Sequence, residues 1–158
     1  MSINIVTGDA TLPVGDGTKI IVHVCNDIGG WGRGFVVALS RRWPEPEQSY
    51  RAWSRGEGKK PFALGQVQFV QVVNDTWIAN LIGQRDVRTV NGVPPVRYDA
   101  IRKGLQQVAK EAHSLDASVH MPRIGCGLAG GKWEEVGKIV EDELVKSGIK
   151  VTVYDLAT

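Results

Sequence analysis

Two glycine-rich stretches carry the clearest signs of chemistry in this chain. Residues 26–34, called here the first glycine loop, have the sequence NDIGGWGRG, and residues 125–131, the second glycine loop, have the sequence GCGLAGG. Glycine tolerates positive φ and lets backbone amides approach an anion closely. The two loops therefore indicate an anionic ligand, and together they could hold a diphosphate from both sides.

The spacing of these glycines differs from that of common nucleotide-binding loops. The chain has no GxxxxGK[ST] pattern, and the first glycine loop lacks the GxGxxG spacing. Both differences argue against a nucleoside-triphosphate hydrolase.

Polar side chains at the start of the first glycine loop are candidates for acid–base chemistry. Asp27 lies at the mouth of this loop, where it either positions a water or acts as a base, or else makes an Asx turn. His23 shares a predicted strand face with Ile21 and Cys25. A histidine in such a place is more often a satisfied core residue than a base, so both roles stay open for His23.

The two cysteines, Cys25 and Cys126, are far apart and fit no zinc spacing. A nucleophilic cysteine needs a base and a lowered pKa, so we expect Cys126 to act as a small packing residue. Free thiols are typical of a reducing compartment, and the chain begins without a signal-peptide pattern. We therefore expect a cytoplasmic protein with no bound metal and no cofactor.

The elements that position these residues alternate along the chain. Apolar β-rich runs predict strands at residues 3–7, 19–26, 67–73, 76–82, 117–121 and 150–156. Helical periodicity predicts helices at residues 34–43, 47–55, 98–115 and 133–147.

This alternation predicts an α/β domain with helices on both faces of a sheet. Asn74 and Asp75 suit a hairpin turn, so we expect the sheet to be mixed. Both glycine loops follow strands and precede helices, which is where ligands bind in α/β sheets and where helix N-termini favour phosphate. The polar residues 85–97, called here the proline loop, are expected at the same site.

Composition bounds the class of protein. With 158 residues, 42% of them hydrophobic and 23% charged, the chain suits one soluble domain over residues 1–158. The net charge of +2 is too small to indicate nucleic-acid or membrane binding by bulk electrostatics. No apolar run is long enough to span a bilayer. We expect the protein to be a monomer.

Four segments together resemble a macrodomain. They are Gly8-Asp9, HVCNDIGGWGRG at residues 23–34, MPRIGCGLAGGKW at residues 121–133, and VTVYDL at residues 151–156. The similarity is greatest to the branch of terminal ADP-ribose glycohydrolases, toxin–antitoxin macrodomains and fungal ADP-ribose-1″-phosphate phosphatases. It covers nearly the whole chain and implies a three-layer α/β/α sandwich around a mixed sheet.

The resemblance also implies a role for individual residues. Asp9 would bind the adenine amino group with Ala10 beside it, Asn26 would touch the distal ribose, and Tyr154 would pack on the adenine or the proximal ribose. Trp31 would either stack on a ribose or cap the core. The ribose and diphosphate would be wrapped by Gly29, Gly30, Trp31 and Gly32 on one side and by the amides of Gly125, Cys126, Gly127 and Leu128 on the other.

Two positions depart from the glycohydrolase pattern. Gln84 stands where those relatives have a nucleophilic lysine, and Ala129 stands where they have an acid. We therefore do not expect a covalent lysine pathway. The fungal phosphatases have a histidine in the same H-x-C-N setting as His23.

We expect an ADP-ribose-binding protein that hydrolyses a group from the distal ribose, with His23, Asn26 and Asp27 as the catalytic candidates. The substrate would be ADP-ribose-1″-phosphate or an ADP-ribosyl ester. The alternative is a non-catalytic module that binds ADP-ribose or ADP-ribosylated macromolecules.

Overall fold

One six-stranded sheet organises the chain, and burial decides the place of each strand. The computed structural model describes residues 2–157. The strands are β1 (Asn4–Thr7), β2 (Lys19–Asn26), β3 (Val67–Val73), β4 (Thr76–Gln84), β5 (Ser118–Met121) and β6 (Val151–Asp155), in the spatial order β1-β6-β5-β2-β4-β3. The long apolar strands β2 and β4 are buried along most of their length and lie inside the sheet. The more polar or exposed β1 and β3 form its edges.

The sheet is mixed, as the sequence predicts. β1, β6, β5, β2 and β4 pair in parallel, and β3 pairs with β4 in antiparallel orientation. The connection from β3 to β4 is the predicted hairpin through Asn74 and Asp75. Because β2, β4, β5 and β6 run in the same direction, their carboxyl ends lie at one edge of the sheet.

Helices cover both faces of the sheet. They are α1 (Phe35–Arg42), α2 (Glu45–Ser54), α3 (Tyr98–Leu115) and α4 (Trp133–Glu143). Alternate residues of β2 point to opposite sides: Ile20 belongs to the core under α3 and α4, and Ile21 to the core under α1 and α2. The three-layer α/β/α sandwich is therefore confirmed. Within residues 2–157, no helix is long and apolar enough to cross a membrane.

Element ends differ from the predictions by a few residues. α2 begins at Glu45 because Pro46 lies in the first helical turn, where a missing N–H costs nothing. The predicted helix 133–147 divides into α4 and a short 3₁₀ turn that Gly148 closes at a φ of 84°. β4 continues past Ile82 to Gln84, which pairs with Asn26 beyond a register shift at which Gly83 of β4 is the extra residue. This extension brings Gln84 to the end of the sheet where the glycine loops begin.

Candidate functional site

The two glycine loops meet at the carboxyl edge of the sheet and bound two adjoining cavities. The first cavity has a volume of about 270 Å³ and the second about 450 Å³. We call the two together the cleft. Both cavities are lined by Val24, Arg33, Val36, Gln84 and Leu128.

Glycine shapes the second glycine loop in two ways. The amide of Gly131 donates to the carbonyl of Gly125 at 2.8 Å, and a side chain at Gly131 would collide with that same carbonyl oxygen. Gly127 is different, because it has no positive φ and a Cβ there would meet no atom within 4 Å. Its missing side chain serves no packing purpose and leaves space in the first cavity.

Backbone donors of this loop are available to a ligand. Within residues 2–157, the amides of Gly127, Leu128 and Ala129 donate to no protein acceptor, and all three residues line the first cavity. The amide of Cys126, by contrast, donates to the carbonyl of Arg123 at 3.3 Å. Of the four amides that the resemblance implies, only that of Cys126 donates to an acceptor within residues 2–157, so contact of the amides of Gly125, Gly127 and Leu128 with a diphosphate stays a prediction.

Cys126 has no sign of a nucleophile. Its thiol donates to the carbonyl of Ile124 at 3.4 Å, and burial raises the pKa of the thiol. Cys126 lines neither cavity, whereas the next residue but one, Leu128, is 64% exposed and lines both.

Asn26 holds the first glycine loop in its shape. Its Oδ1 accepts hydrogen bonds from the amides of Ile28 at 3.1 Å and Gly30 at 2.9 Å and from the hydroxyl of Tyr50 at 2.8 Å. Its Nδ2 donates to the carbonyl of Gly30 at 2.9 Å. Asn26 lines the second cavity, but most of its hydrogen-bonding capacity is already used within the protein.

The remaining residues of this loop divide between the cleft and the core. Gly30, Trp31 and Gly32 line the second cavity, and a Cβ at Gly32 would meet nothing within 4 Å. Gly29 lies outside both linings, with a φ of 80° and its carbonyl bound by Arg51 at 3.1 Å. Trp31 is only 6% exposed and its indole N–H donates to Ser40. Trp31 therefore caps the core and presents one side to the cavity.

Only one of the two following helices directs its N-terminus into the cleft. Gly34, Phe35 and Val36 line the first cavity at the start of α1, where unpaired amides and the helix dipole favour an anion. α4 begins at Trp133, which lines neither cavity. Phosphate binding at a helix N-terminus therefore stays a prediction for α1, whereas the start of α4 lies outside the cleft.

The charge of the cleft is positive. Within residues 2–157 no Asp or Glu lines either cavity, while Arg33, Arg88 and Arg123 do. Arg123 is neutralised by Asp155 through contacts of 2.8 and 2.9 Å. Arg33 and Arg88 are exposed and form no ion pair with any residue of the range 2–157.

His23 lies in the wall of the first cavity as a neutral imidazole. It is 1% exposed, and burial lowers its pKa to about 4. Its Nε2 lies 2.5 Å from Oδ1 of Asn80, whose Nδ2 donates to Gln68 and to the carbonyl of Pro46. Because the Asn80 oxygen can only accept, Nε2 of His23 carries the proton and Nδ1 is bare.

Asp27 joins two loops instead of facing the cleft. Its Oδ1 accepts the amide of Asp86 in the proline loop at 2.7 Å, and it lines neither cavity. The Asx turn considered for Asp27 is made by Asn26, which binds the amide of Ile28.

Two lining residues outside the predicted site come from β4 and the proline loop. Gln84 donates from Nε2 to the carbonyl of Asp86 at 2.8 Å, and within residues 2–157 its Oε1 has no partner. Arg88 lines the second cavity. The sequence pointed to Gln84 through its place at the position of the glycohydrolase lysine. It pointed to Arg88 through the expected position of the proline loop.

The residues expected near adenine lie beside the cleft. Asp9 accepts the amide and the hydroxyl of Thr11 through Oδ1, both at 2.8 Å, and Ala10 is buried. Tyr154 is buried next to Gly8, and its hydroxyl binds the amide of Val14 at 2.9 Å. None of these residues lines either cavity, so contact with adenine stays a prediction for them.

No group of three His, Cys, Asp or Glu side chains within residues 2–157 is arranged to hold a metal ion.

Comparison with known proteins identifies this arrangement. The chain is 55% identical to a macrodomain protein from Streptomyces coelicolor, with a TM-score of 0.86 and a match over 98% of this chain and 99% of that one. It is 32% identical to the chromodomain-helicase-DNA-binding protein 1-like of Mus musculus over 97% of this chain, but it spans only 18% of that protein's length. It is 24% identical to the ADP-ribose 1″-phosphate phosphatase of Lodderomyces elongisporus over 98% of this chain and 100% of that protein. No family model matches the chain.

The match to the Streptomyces coelicolor protein covers nearly all of both chains. Its sequence identity of 55% is far higher than that of proteins that share only a fold. The three-layer sandwich and the two glycine loops at the carboxyl edge of its sheet agree with that assignment. The chain belongs to the macrodomain family.

Proposed function

We propose that the cleft binds the ADP-ribose group. The observation that carries this proposal is the lining of the cleft, which has unpaired amides from both sides, two arginines without ion pairs and no carboxylate. Such a surface suits a ligand with two adjacent negative charges, because every donor stabilises charge and nothing repels it.

Relatives support ADP-ribose over other diphosphates. The Lodderomyces elongisporus protein, which this chain matches over its full length, is named for ADP-ribose 1″-phosphate. In the proposed complex the diphosphate lies between the two glycine loops and the distal ribose fills the second cavity. The adenine lies toward Asp9, whose Oδ2 has no partner within residues 2–157 and can accept the amino group.

Calorimetric titration with ADP-ribose tests the binding proposal. Gly127→Glu should weaken binding about a hundredfold, because a carboxylate would stand against the phosphates. Gly127→Gln, which is nearly the same size and uncharged, is the matched control and should weaken binding much less. Equal losses in the two variants would remove electrostatic repulsion as the cause, and no binding to the unmodified protein would refute the proposal.

We further propose that the protein hydrolyses a group from the distal ribose. For ADP-ribose-1″-phosphate, water attacks the phosphorus, the bond from phosphorus to the ribose oxygen breaks, and that oxygen takes up the proton that the water loses. His23 and Asn26 are the catalytic candidates that line the cleft, and Nδ1 of His23, which carries no proton, can accept a hydrogen bond from water. With its pKa near 4, His23 orients the water, and a phosphate oxygen of the ligand passes the proton of the water to the departing ribose oxygen.

Asn26 and Asp27 contribute to this reaction indirectly. Asn26 fixes the first glycine loop and Asp27 ties that loop to the proline loop. An ADP-ribosyl ester is the second substrate of the same class. Water attacks the acyl carbon, the bond from that carbon to the ribose oxygen breaks, and the ribose oxygen takes up the proton that the water loses.

Binding without turnover is the second candidate function. It is favoured by the absence of any carboxylate in the lining and by Gln84 at the position of the lysine. In that function the ligands are ADP-ribosylated macromolecules, whose attached part would lie at the exposed rim formed by Val87, Arg88 and Leu128.

Phosphate release from ADP-ribose-1″-phosphate separates the two functions. A hydrolase should release phosphate catalytically, and His23→Gln should lower the rate while ADP-ribose still binds. His113→Gln, which changes an exposed histidine on α3, is the control. If the protein binds ADP-ribose but hydrolyses neither ADP-ribose-1″-phosphate nor an ADP-ribosyl ester, the hydrolase proposal is refuted and the non-catalytic function is supported.

We also propose that residues 1–158 form one macrodomain that acts as a monomer in the cytoplasm. The free thiols of Cys25 and Cys126 support a reducing compartment. Light scattering of the purified protein at several concentrations tests the monomer, and a mass of twice 17.2 kDa would contradict it.

A further inference from the structure

The chain has three tyrosines, and each one directs its hydroxyl to a different loop of the site. We infer that Tyr50, Tyr98 and Tyr154 are positioning residues, each fixing the backbone of one loop so that it is shaped before a ligand arrives. The functional consequence of this inference rests on the proposed ADP-ribose site. The three tyrosine contacts are observed in the structure and do not depend on that proposal.

Tyr50 holds the first glycine loop from below. It is fully buried on α2, and its one hydroxyl proton is shared between two acceptors of Asn26, the carbonyl oxygen at 2.7 Å and Oδ1 at 2.8 Å. That Oδ1 also accepts the amides of Ile28 and Gly30. Tyr50 therefore orients the side chain on which the turn of the loop is built. The neighbouring Arg51 adds a contact of 3.1 Å to the carbonyl of Gly29.

Tyr98 holds the end of the second glycine loop. It is the first residue of α3, and its hydroxyl accepts the amide of Lys132 at 3.1 Å. Lys132 follows Gly131, whose own amide closes the loop onto Gly125. Tyr98 thus fixes the point at which the chain leaves the loop and enters α4.

Tyr154 holds residues 8–18, called here the N-terminal loop, which contain Asp9. Its hydroxyl accepts the amide of Val14 at 2.9 Å and lies 2.7 Å from Nδ1 of His120. Nε2 of His120 lies 2.7 Å from Oγ of Ser118. The hydroxyl of Tyr154 therefore joins the N-terminal loop to His120, and the contact with His120 fixes the ring of Tyr154 as well as the loop.

In this arrangement each tyrosine serves a different part of the ligand. The N-terminal loop faces the adenine end, the second glycine loop faces the diphosphate, and the first glycine loop faces the diphosphate and the distal ribose. A rigid loop does not lose conformational freedom on binding, so loosening it weakens only the ligands that use it. Tyrosine to phenylalanine changes should therefore have effects that depend on the ligand.

The test is a set of three variants, Tyr50→Phe, Tyr98→Phe and Tyr154→Phe, titrated with AMP, ADP and ADP-ribose. Loss of one hydrogen bond corresponds to roughly a fivefold to tenfold change in affinity. Tyr154→Phe should weaken all three ligands by a similar factor. Tyr98→Phe should weaken ADP and ADP-ribose but not AMP, and Tyr50→Phe should weaken ADP-ribose most and leave AMP unchanged.

A purely structural role would give a different pattern, with each variant losing affinity for all ligands in proportion to its fall in melting temperature. That pattern would overturn the inference. Arg51→Ala is the second test of the first glycine loop, because Arg51 is partly exposed and its loss does not open the core. Arg51→Ala should weaken the same ligands as Tyr50→Phe, with a smaller loss of affinity for each.

Amide hydrogen exchange without ligand separates the failure of this inference from the failure of the proposed function. Exchange should quicken at Ile28 and Gly30 in Tyr50→Phe, at Lys132 in Tyr98→Phe and at Val14 in Tyr154→Phe, each in its own loop only. If these amides exchange at the rates of the unmodified protein, the tyrosines do not position the loops. If the exchange pattern appears but the unmodified protein does not bind ADP-ribose, the proposed function fails and the positioning role stands.

Discussion

The two glycine loops of the cleft are held by different forces. The first is held by side chains, with Asn26 making four hydrogen bonds around its turn and Tyr50 and Arg51 reaching it from α2. The second is held by close backbone contact, because Gly131 lies directly against the carbonyl of Gly125.

This difference decides how each loop responds to change. Removing a hydrogen bond from the first loop costs about 1 kcal/mol and leaves the rest of the network in place. The turn of the second loop is closed by the backbone of Gly131 and Gly125, and a side chain added at Gly131 must displace backbone. Substitutions at the closed turn of the second loop should therefore cause steric collisions and lower the free energy of unfolding by more than substitutions in the first loop.

Gly131→Ala should have the largest effect on stability. A methyl group at this position collides with the carbonyl oxygen of Gly125 and competes with the hydrogen bond between the two residues. We expect the free energy of unfolding to fall by about 3 kcal/mol, which is at the upper end of the usual cost of overpacking. Urea denaturation of the purified variant measures the change.

Gly127→Ala is the matched control within the same loop. Its Cβ meets no atom within 4 Å and its φ is not positive, so its unfolding free energy should change by less than about 0.5 kcal/mol. Similar losses in the two variants would mean that glycine content, and not the Gly131–Gly125 contact, sets the stability of the loop.

Acid should weaken the packing beneath the first glycine loop. Trp31 packs edge-on against His23 with ring centroids 5.3 Å apart, and burial lowers the pKa of His23 from 6.5 to about 4. Between these two pH values the unfolded chain binds a proton that the folded protein does not. The contribution of His23 to the free energy of unfolding is therefore fully present above pH 6.5. It falls as the pH drops from 6.5 toward 4, and it does not change further below pH 4.

The expected loss from His23 over this window is on the order of 3 kcal/mol. It is measured as the difference in pH dependence between the unmodified protein and His23→Gln, which keeps a donor for Asn80 and does not titrate. His120 has its pKa lowered to about 4 as well and contributes to both proteins, so it cancels in the difference. Identical acid profiles for the two proteins would contradict the assignment.

Much of this molecule could be predicted from the sequence because the signals were local. Periodicity placed α3 correctly at Tyr98–Leu115 and β2 at Lys19–Asn26. The rule that parallel strands end at one edge was enough to bring the two glycine loops together. The hairpin at Asn74 and Asp75 followed from turn chemistry.

The parts that could not be predicted depend on contacts between distant residues. Asn26 stays a predicted ligand contact, but the sequence did not show that its side chain also binds the hydroxyl of Tyr50, 24 residues away. Asp27 was predicted either to act as a base or water-positioning group or to make an Asx turn, and the sequence did not show that its carboxylate accepts the amide of Asp86, 59 residues away. Burial and partners determine what such polar side chains do, and neither can be deduced from loop sequence alone.

Charge is the last difference between the loops, and it predicts the smallest effect. The first loop contributes Arg33 without an ion pair, whereas Arg123, just before the second, is held by Asp155. We expect Arg33→Ala to weaken ADP-ribose about tenfold, which is about 1.4 kcal/mol, and to reduce the salt dependence of binding. Arg41→Ala, at an exposed position of α1 outside both linings, should change neither. Titration at low and high ionic strength measures both effects. A loss for Arg33→Ala that does not shrink as salt increases would mean that Arg33 acts by packing at the junction of the cavities and not by its charge.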